Sequence, residues 1–314
     1  MTKGNTIDKI VVLFFGTLFL IPALVYVLFF LKIVIEGVPV ITWEYLTSAQ
    51  SSDLANGGIG TVITGTLATV VLMLAFVIPV GVTTALYLAE YSINRAFDKF
   101  FLFMLYNLSG VPSVVFGIFG LGFFVLNIGT GMDSFLGLDL VFGKPSMLWA
   151  SFTLAFMLVP MVVITTYQSF KSVPESYRET AYGAGATKFQ MVRSVLIPHS
   201  ISGVFTGIIL SVSRAIGETA PLLFLGCAFF LPSVPVFDLC VPGFCFPLID
   251  PTEQFLYLSY NIFILSTQST AQSATLPYQY AGTLVLIFLT IVCNGTTIYL
   301  RHKFRKITSR GEGE

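Results

Sequence analysis

The chain has 314 residues, of which 55% are hydrophobic and only 10% charged, and its 16 basic and 16 acidic residues cancel. A water-soluble domain carries about 25% charged residues, so a soluble enzyme or binding module is excluded and no nucleic-acid partner is expected. Where the charges stand matters more than their sum.

A helix needs about 20 apolar residues to cross the hydrocarbon core, and charge-free intervals of that length mark six expected spans. They are Lys9 to Lys32, Asp53 to Glu90, Lys99 to Asp133, Lys144 to Lys171, roughly Gly203 to Phe229, and roughly Tyr280 to Leu300. The expected fold is therefore an all-α membrane protein. Thirteen of the 16 basic residues fall before span 1, after it in alternate loops, and behind span 6, while Lys32 and Lys144 face the other way and Arg214 lies within a span. By the positive-inside rule both termini are cytoplasmic.

Span 1, with Pro22 and no polar stripe, reads as a peripheral, lipid-facing helix. It is too long for a signal-peptide core and lacks a small-x-small cleavage site. Residues 1–58 form one unit, this helix and an external loop with a short interfacial helix near Trp43 and Tyr45. From Ile59 the texture turns rich in Gly and Thr, which lets membrane helices approach closely. A core of five helices is expected over 59–301, followed by a basic tail at 302–314. Glu90, at the end of span 2, reads as a solvated helix-end charge, with contact to a partner as the other reading.

Span 3 carries Asn107, Ser109, Gly110, Pro112 and Ser113 in its middle, where Pro implies a kink. The kink serves either packing or a cavity lined by freed backbone groups and hydroxyls. Span 4 leads through Thr165 and Thr166 to Lys171. A short run of small residues follows between Ala181 and Ala186, suited to pressing into another protein's groove, with Gly185 as the turn between two short helices.

Span 5 sets Ser200, Gly203, Gly207, Ser211, Arg214, Glu218 and Pro221 at steps of three or four, one small and polar stripe. An Arg near the bilayer centre costs roughly 2.5–3.5 kcal/mol on insertion scales, so Arg214 requires a partner or an aqueous cavity. Two readings stand: a structural pair with Glu218, or an anion contact that Glu218 orients. The planar guanidinium fork suits a phosphate-like oxyanion. The long external loop from Phe230 to Gln279 holds Cys240 and Cys245 around a Pro-Gly turn, either a small disulfide loop or free thiols. No metal site is expected, since His199 and His302 both lie on the cytoplasmic side.

The order Glu179, Thr180, Ala181, Gly185, Val195, Ile197, Pro198 resembles the cytoplasmic EAA loop of ATP-binding-cassette importer permeases. Arg-Ala-Ile-Gly-Glu-Thr-Ala-Pro-Leu-Leu at 214–223 resembles the signature of PstA-type permeases of phosphate importers. The stretch NLSGVPSVVFG from Asn107 looks familial too. Charged residues usual after a Thr-Thr pair in that family are replaced here by Tyr167, Gln168 and Ser169. The resemblance implies a type I importer bundle in a prokaryotic inner membrane. Glu179, Ala181, Gly183, Gly185 and Pro198 would couple it to an ATPase, and Arg214, Glu218, Ser211, Asn107, Ser109 and Ser113 would line the substrate path. It also implies a second, PstC-like permease, a PstB-like ATPase homodimer and an external phosphate-binding protein, besides membrane lipid. The chain has no P-loop, so ATP and Mg would be held by the ATPase and no cofactor by this chain. The rivals are a permease for sulfate, another oxyanion or an organic solute, and a secondary anion transporter or channel. An intramembrane enzyme lacks its nucleophile and base.

Overall fold

The computed structural model describes residues 6–51, 57–241, 244–269 and 272–310, with side chains described over 8–51, 57–238, 248–269 and 272–303. Among them, six helical stretches are long and apolar enough to cross a membrane: Asp8–Val40, Gly60–Tyr91, Ser113–Leu136, Met147–Lys171, Lys188–Gly217 and Gln272–Lys303. The first span is α1 (Thr6–Gly37), exposed over most of its length with Ile33 buried near its end, and a single turn, α2 (Trp43–Thr47), follows it. Trp43 of α2 points outward, and Tyr45 is buried against Tyr278.

Span 2 is α3 (Gly60–Leu86), which widens into a π-helical turn at Tyr87–Tyr91. Span 3 departs from expectation. An amphipathic helix, α4 (Arg95–Ser109), is capped at its start by Asn94 and breaks at Gly110–Pro112, and the span proper begins at α5 (Ser113–Phe119). It continues through a π-helical stretch, Gly120–Gly129, into α6 (Thr130–Leu136). Pro112 has no N–H to give and disfavours helical geometry in the residue before it. The chain therefore stops one helix and starts another instead of kinking a single span.

Span 4, α7 (Met147–Lys171), is the central post. Its fully buried Leu154, Leu158 and Val162 meet Met73 and Val77 of α3 and Val212, Ala215 and Ile216 of the fifth span in one core. Phe76 and Phe152 stack at 3.9 Å, and Ser151 Oγ donates to the Thr69 carbonyl at 3.2 Å, so α3 and α7 interlock. After α7 come α8 (Glu175–Gly183) and α9 (Lys188–Met191), then a π-helical turn leading into α10 (Ile197–Gly217).

The fifth span was expected to run to Phe229, but α10 ends at Gly217. Glu218 is extended, with φ −72° and ψ 135°, and only a 3-10 turn at Pro221–Phe224 follows. The segment from Phe230 to Gln279, expected as a loop, contains regular elements. It contains a hairpin of β1 (Val236–Val241) and β2 (Phe244–Ile249) and an apolar half-helix, α11 (Leu258–Thr267). The hairpin register places Cys240 opposite Cys245, though the side chains of the expected disulfide lie outside the described residues. The last span, α12 (Gln272–Arg310), continues without a break into the basic segment.

Candidate functional sites: a charged pair inside the bundle and a two-helix hairpin

The small stripe on α10 exists because α10 lies flush on α7. A Cβ added at Gly203 would overlap the Ser169 side chain, and one at Gly207 would overlap Thr165 Oγ1. Ser200 and Ser211 are buried, and Ser211 Oγ donates to the Ile208 carbonyl at 2.7 Å. The lower part of the stripe is thus a packing seam. Continued upward, this antiparallel register carries Arg214 abreast of the middle of α7.

Here the helix stops. A helix end leaves carbonyls without partners, and irregular backbone at membrane depth survives only when covered by protein or lining a cavity. The segment after Phe255 supplies the cover. Tyr257, fully buried, donates its hydroxyl to the Ala215 carbonyl at 2.8 Å, and Ser259 Oγ donates to the Glu218 carbonyl at 2.6 Å. The same segment is pinned to α3, where Thr66 Oγ1 accepts from the Leu258 N–H at 2.9 Å. Arg214 therefore occupies the last turn of a helix whose negative dipole end favours a cation. Its Nε donates to Glu218 Oε1 at 3.1 Å, with the Arg214 side chain 37% exposed and that of Glu218 14% exposed. One edge of the guanidinium is held, and the rest is open to a further acceptor.

Of the other expected path residues, Asn107 and Ser109 stand on the exposed surface of α4, not within a span. Both donate to their own helix, to the Phe103 and Tyr106 carbonyls at 2.7 Å each. Ser113 opens α5, whose Gly117 lies against Pro221, just beyond Glu218. The structure thus brings Arg214 and Glu218 together, while the hydrogen bonds of the Asn107 and Ser109 side chains stay within α4. Sequence reading missed Tyr257 and Ser259, since nothing in an external loop announces that it re-enters the bundle. It also missed Asn294 of α12, whose Oδ1 accepts from Ser213 Oγ at 2.7 Å.

The second site is the α8–α9 hairpin. Gly185 has φ +82°, the left-handed conformation glycine tolerates best. Its N–H donates to the Tyr182 carbonyl at 2.9 Å and that of Ala186 to the Ala181 carbonyl at 3.0 Å, the doubly bonded helix stop known as a Schellman motif. Two residues later Thr187 and Gln190 form a reciprocal capping box that starts α9. Glu179, Gly183, Ala184 and Gly185 are exposed, Ala181 is half-buried, and Pro198 sits in the first turn of α10. A Cβ at Gly183 would meet open space, so this chain's own packing does not require the smallness there.

Glu90 is not solvated. Its side chain is 9% exposed and lies 3.0 Å from Nη2 of Arg178, whose own side chain is 7% exposed. The solvated reading fails because its partner sits on α8, across the fold. Nearby, loss of hydration and then the Glu90 carboxylate push the Tyr182 phenol above its ordinary pKa.

The family described as binding-protein-dependent transport system inner membrane component matches residues 77–234. Curated relatives include "Probable ABC transporter permease protein YqgI" of Bacillus subtilis (strain 168), 30% identical over 217 residues and 69% of each chain. Another is the phosphate transport system permease protein PstA of Mycobacterium leprae (strain TN), 30% identical over 223 residues, covering 69% of this chain and 68% of the relative. Among solved structures, a chain of a bacterial ABC transporter involved in the import of the acidic polysaccharide alginate superposes with a TM-score of 0.61. It is 16% identical over 92% of this chain and 96% of that one, a likeness of fold. The α8–α9 hairpin and the span that follows it both fall within the matched residues, and the chain belongs to the binding-protein-dependent transport system inner membrane component family.

Proposed function

We propose that this chain is one of two permease subunits of an ATP-driven importer that moves inorganic phosphate. The observation that carries the reading is Arg214, a guanidinium held on one edge by Glu218 at the end of a helix that stops inside the bundle. An incoming oxyanion can take the free edge bidentately, and Glu218 keeps the fork oriented until it arrives. Because the helix ends here at its C-terminus, the negative dipole end holds the cationic fork, and the guanidinium alone supplies the contact to the anion. Relatives named phosphate transport permeases, such as those of Mycobacterium leprae and Yersinia pestis, support phosphate over other oxyanions.

ATP and Mg are held by a pair of ATPase subunits, which the α8–α9 hairpin engages through its exposed small run. Phosphate is delivered by an external binding protein, and a second permease completes the path. The subunit lies in a prokaryotic inner membrane with both termini cytoplasmic, a reading supported by the distribution of basic residues. Hydrolysis by the full complex in proteoliposomes tests the reading. Phosphate, delivered by its binding protein, should stimulate ATP hydrolysis and enter the vesicle, and sulfate should do neither. Stimulation by sulfate alone would overturn the substrate.

A further inference from the structure

α8 is the first arm of the hairpin, and its one buried residue is not apolar. That residue is Arg178. The second arm is anchored conventionally, by Met191, which is fully buried. An arginine fork presents five N–H donors in fixed directions, and here they reach three pieces of the protein at once. Nε donates to Glu90 Oε1 at 3.1 Å, on the π-helical turn that ends span 2. Nη2 donates to the Phe170 carbonyl at 2.8 Å, in the last turn of α7, and Nη1 to the Val173 carbonyl at 2.7 Å, just beyond it. Nη1 also bonds Glu175 Oε2 of α8 itself at 3.3 Å.

The π-helical turn receives the rest of this corner too. Lys171 Nζ donates to the Ala89 carbonyl at 2.7 Å, tying the end of α7 to the same turn. Tyr91 lies under Lys188 of α9, with the ammonium 4.8 Å from the ring centre. Adjacent residues of one turn, Glu90 and Tyr91, therefore grip one arm of the hairpin each.

We propose that Arg178 is the positioning residue of energy coupling, locking α8 to the cytoplasmic ends of α3 and α7 so that the hairpin and both spans are displaced as one body. This rests on the hairpin being the ATPase contact. A helix held only by a flexible apolar side chain could rock in place. One held by a buried fork with partners on three segments cannot rock without breaking charged hydrogen bonds.

The test uses the complete complex with Arg178→Lys and, separately, Glu90→Gln. Lysine keeps the charge but has no planar fork, and glutamine keeps an acceptor for Nε without the charge. In both variants phosphate transported per ATP hydrolysed should fall about tenfold, within the range of couplings between distant sites, while ATPase binding persists. A role confined to folding would lower the yield of complex and leave that ratio unchanged. An unchanged ratio in both variants overturns the proposal.

Hydrogen exchange provides a substrate-independent arm. A non-hydrolysable ATP analogue should alter exchange in the wild-type complex at both 175–191 and 87–91, and in the Glu90→Gln complex only at 175–191. Equal propagation in the two complexes overturns the proposal. A wild-type complex indifferent to phosphate would instead refute the phosphate reading, and the exchange measurement would still decide this one.

Discussion

Replacing Gly183 by Leu separates what this chain needs from what its partner needs. Gly183 is the last residue of α8, exposed, with open space where a side chain would go. Within the chain the change is mildly favourable, since Gly is about 0.8–1 kcal/mol worse than Ala in a helix and Leu nearly equals Ala. At a fraying last turn the gain is about half of that. If the run 183–186 presses into a groove of the ATPase, four added carbon atoms overpack the contact, which typically costs about 1–3 kcal/mol. At 1.4 kcal/mol per tenfold, the ATPase then binds about 5- to 150-fold more weakly. The assay is equilibrium binding of purified ATPase to the permease pair in nanodiscs, with phosphate uptake in cells as the second readout. Unaltered affinity together with normal uptake at normal expression would refute the docking assignment, because no loss of fold could have masked the effect.

Gly207→Leu should lower the thermal midpoint of the purified permease by an amount corresponding to about 1–3 kcal/mol, since its first carbon already overlaps Thr165. Gly295→Ala on α12, where a Cβ meets open space, should fall within about 0.5 kcal/mol of wild type. Arg214→Gln should abolish phosphate uptake in an assembled complex and Arg214→Lys should restore little of it, since an ammonium lacks the fork. The double variant Arg214→Gln/Glu218→Gln should remain inactive, and wild-type uptake there would reduce the pair to a structural ion pair. Single cysteines at Ser134 and His302, both exposed, report topology in sealed right-side-out vesicles. An impermeant thiol reagent should label the first only, and labelling at 302 would reverse the orientation.

The spans were legible because charge-free length is a direct physical requirement of hydrocarbon, and the hairpin was legible because its joint is written locally. Gly185 ends one helix, and Thr187 with Gln190 starts the next. Long-range pairing was not legible. Glu90 and Arg178 are 88 positions apart, and a lone carboxylate at a helix end reads as solvated until its partner is known. The break before α5 has a local sign. The interval from Lys99 to Asp133 is longer than one crossing needs, and Pro112 stands near the point where the surplus, α4, is cut off. The end of α10 at Gly217 had a weaker sign, Pro221 shortly beyond it. What allows that end is Tyr257, which arrives from a loop that sequence alone placed outside.

The two seams along α7 differ in texture, and this sets how each responds to a change of side chain. Toward α3 the surface is toothed, with stacked rings and a hydrogen bond from Ser151 to the Thr69 carbonyl, so relative displacement means unseating side chains. Toward α10 it is close-fitting. The side chains of Ser169 and Thr165 fill the places where Gly203 and Gly207 lack a Cβ, and Ser169 Oγ donates to the Ser200 carbonyl at 2.8 Å. Any side chain at 203 or 207 would wedge the two helices apart. Arg214 stands on the wedged helix and would be displaced with it, and the Ala215 carbonyl would be drawn away from the Tyr257 hydroxyl.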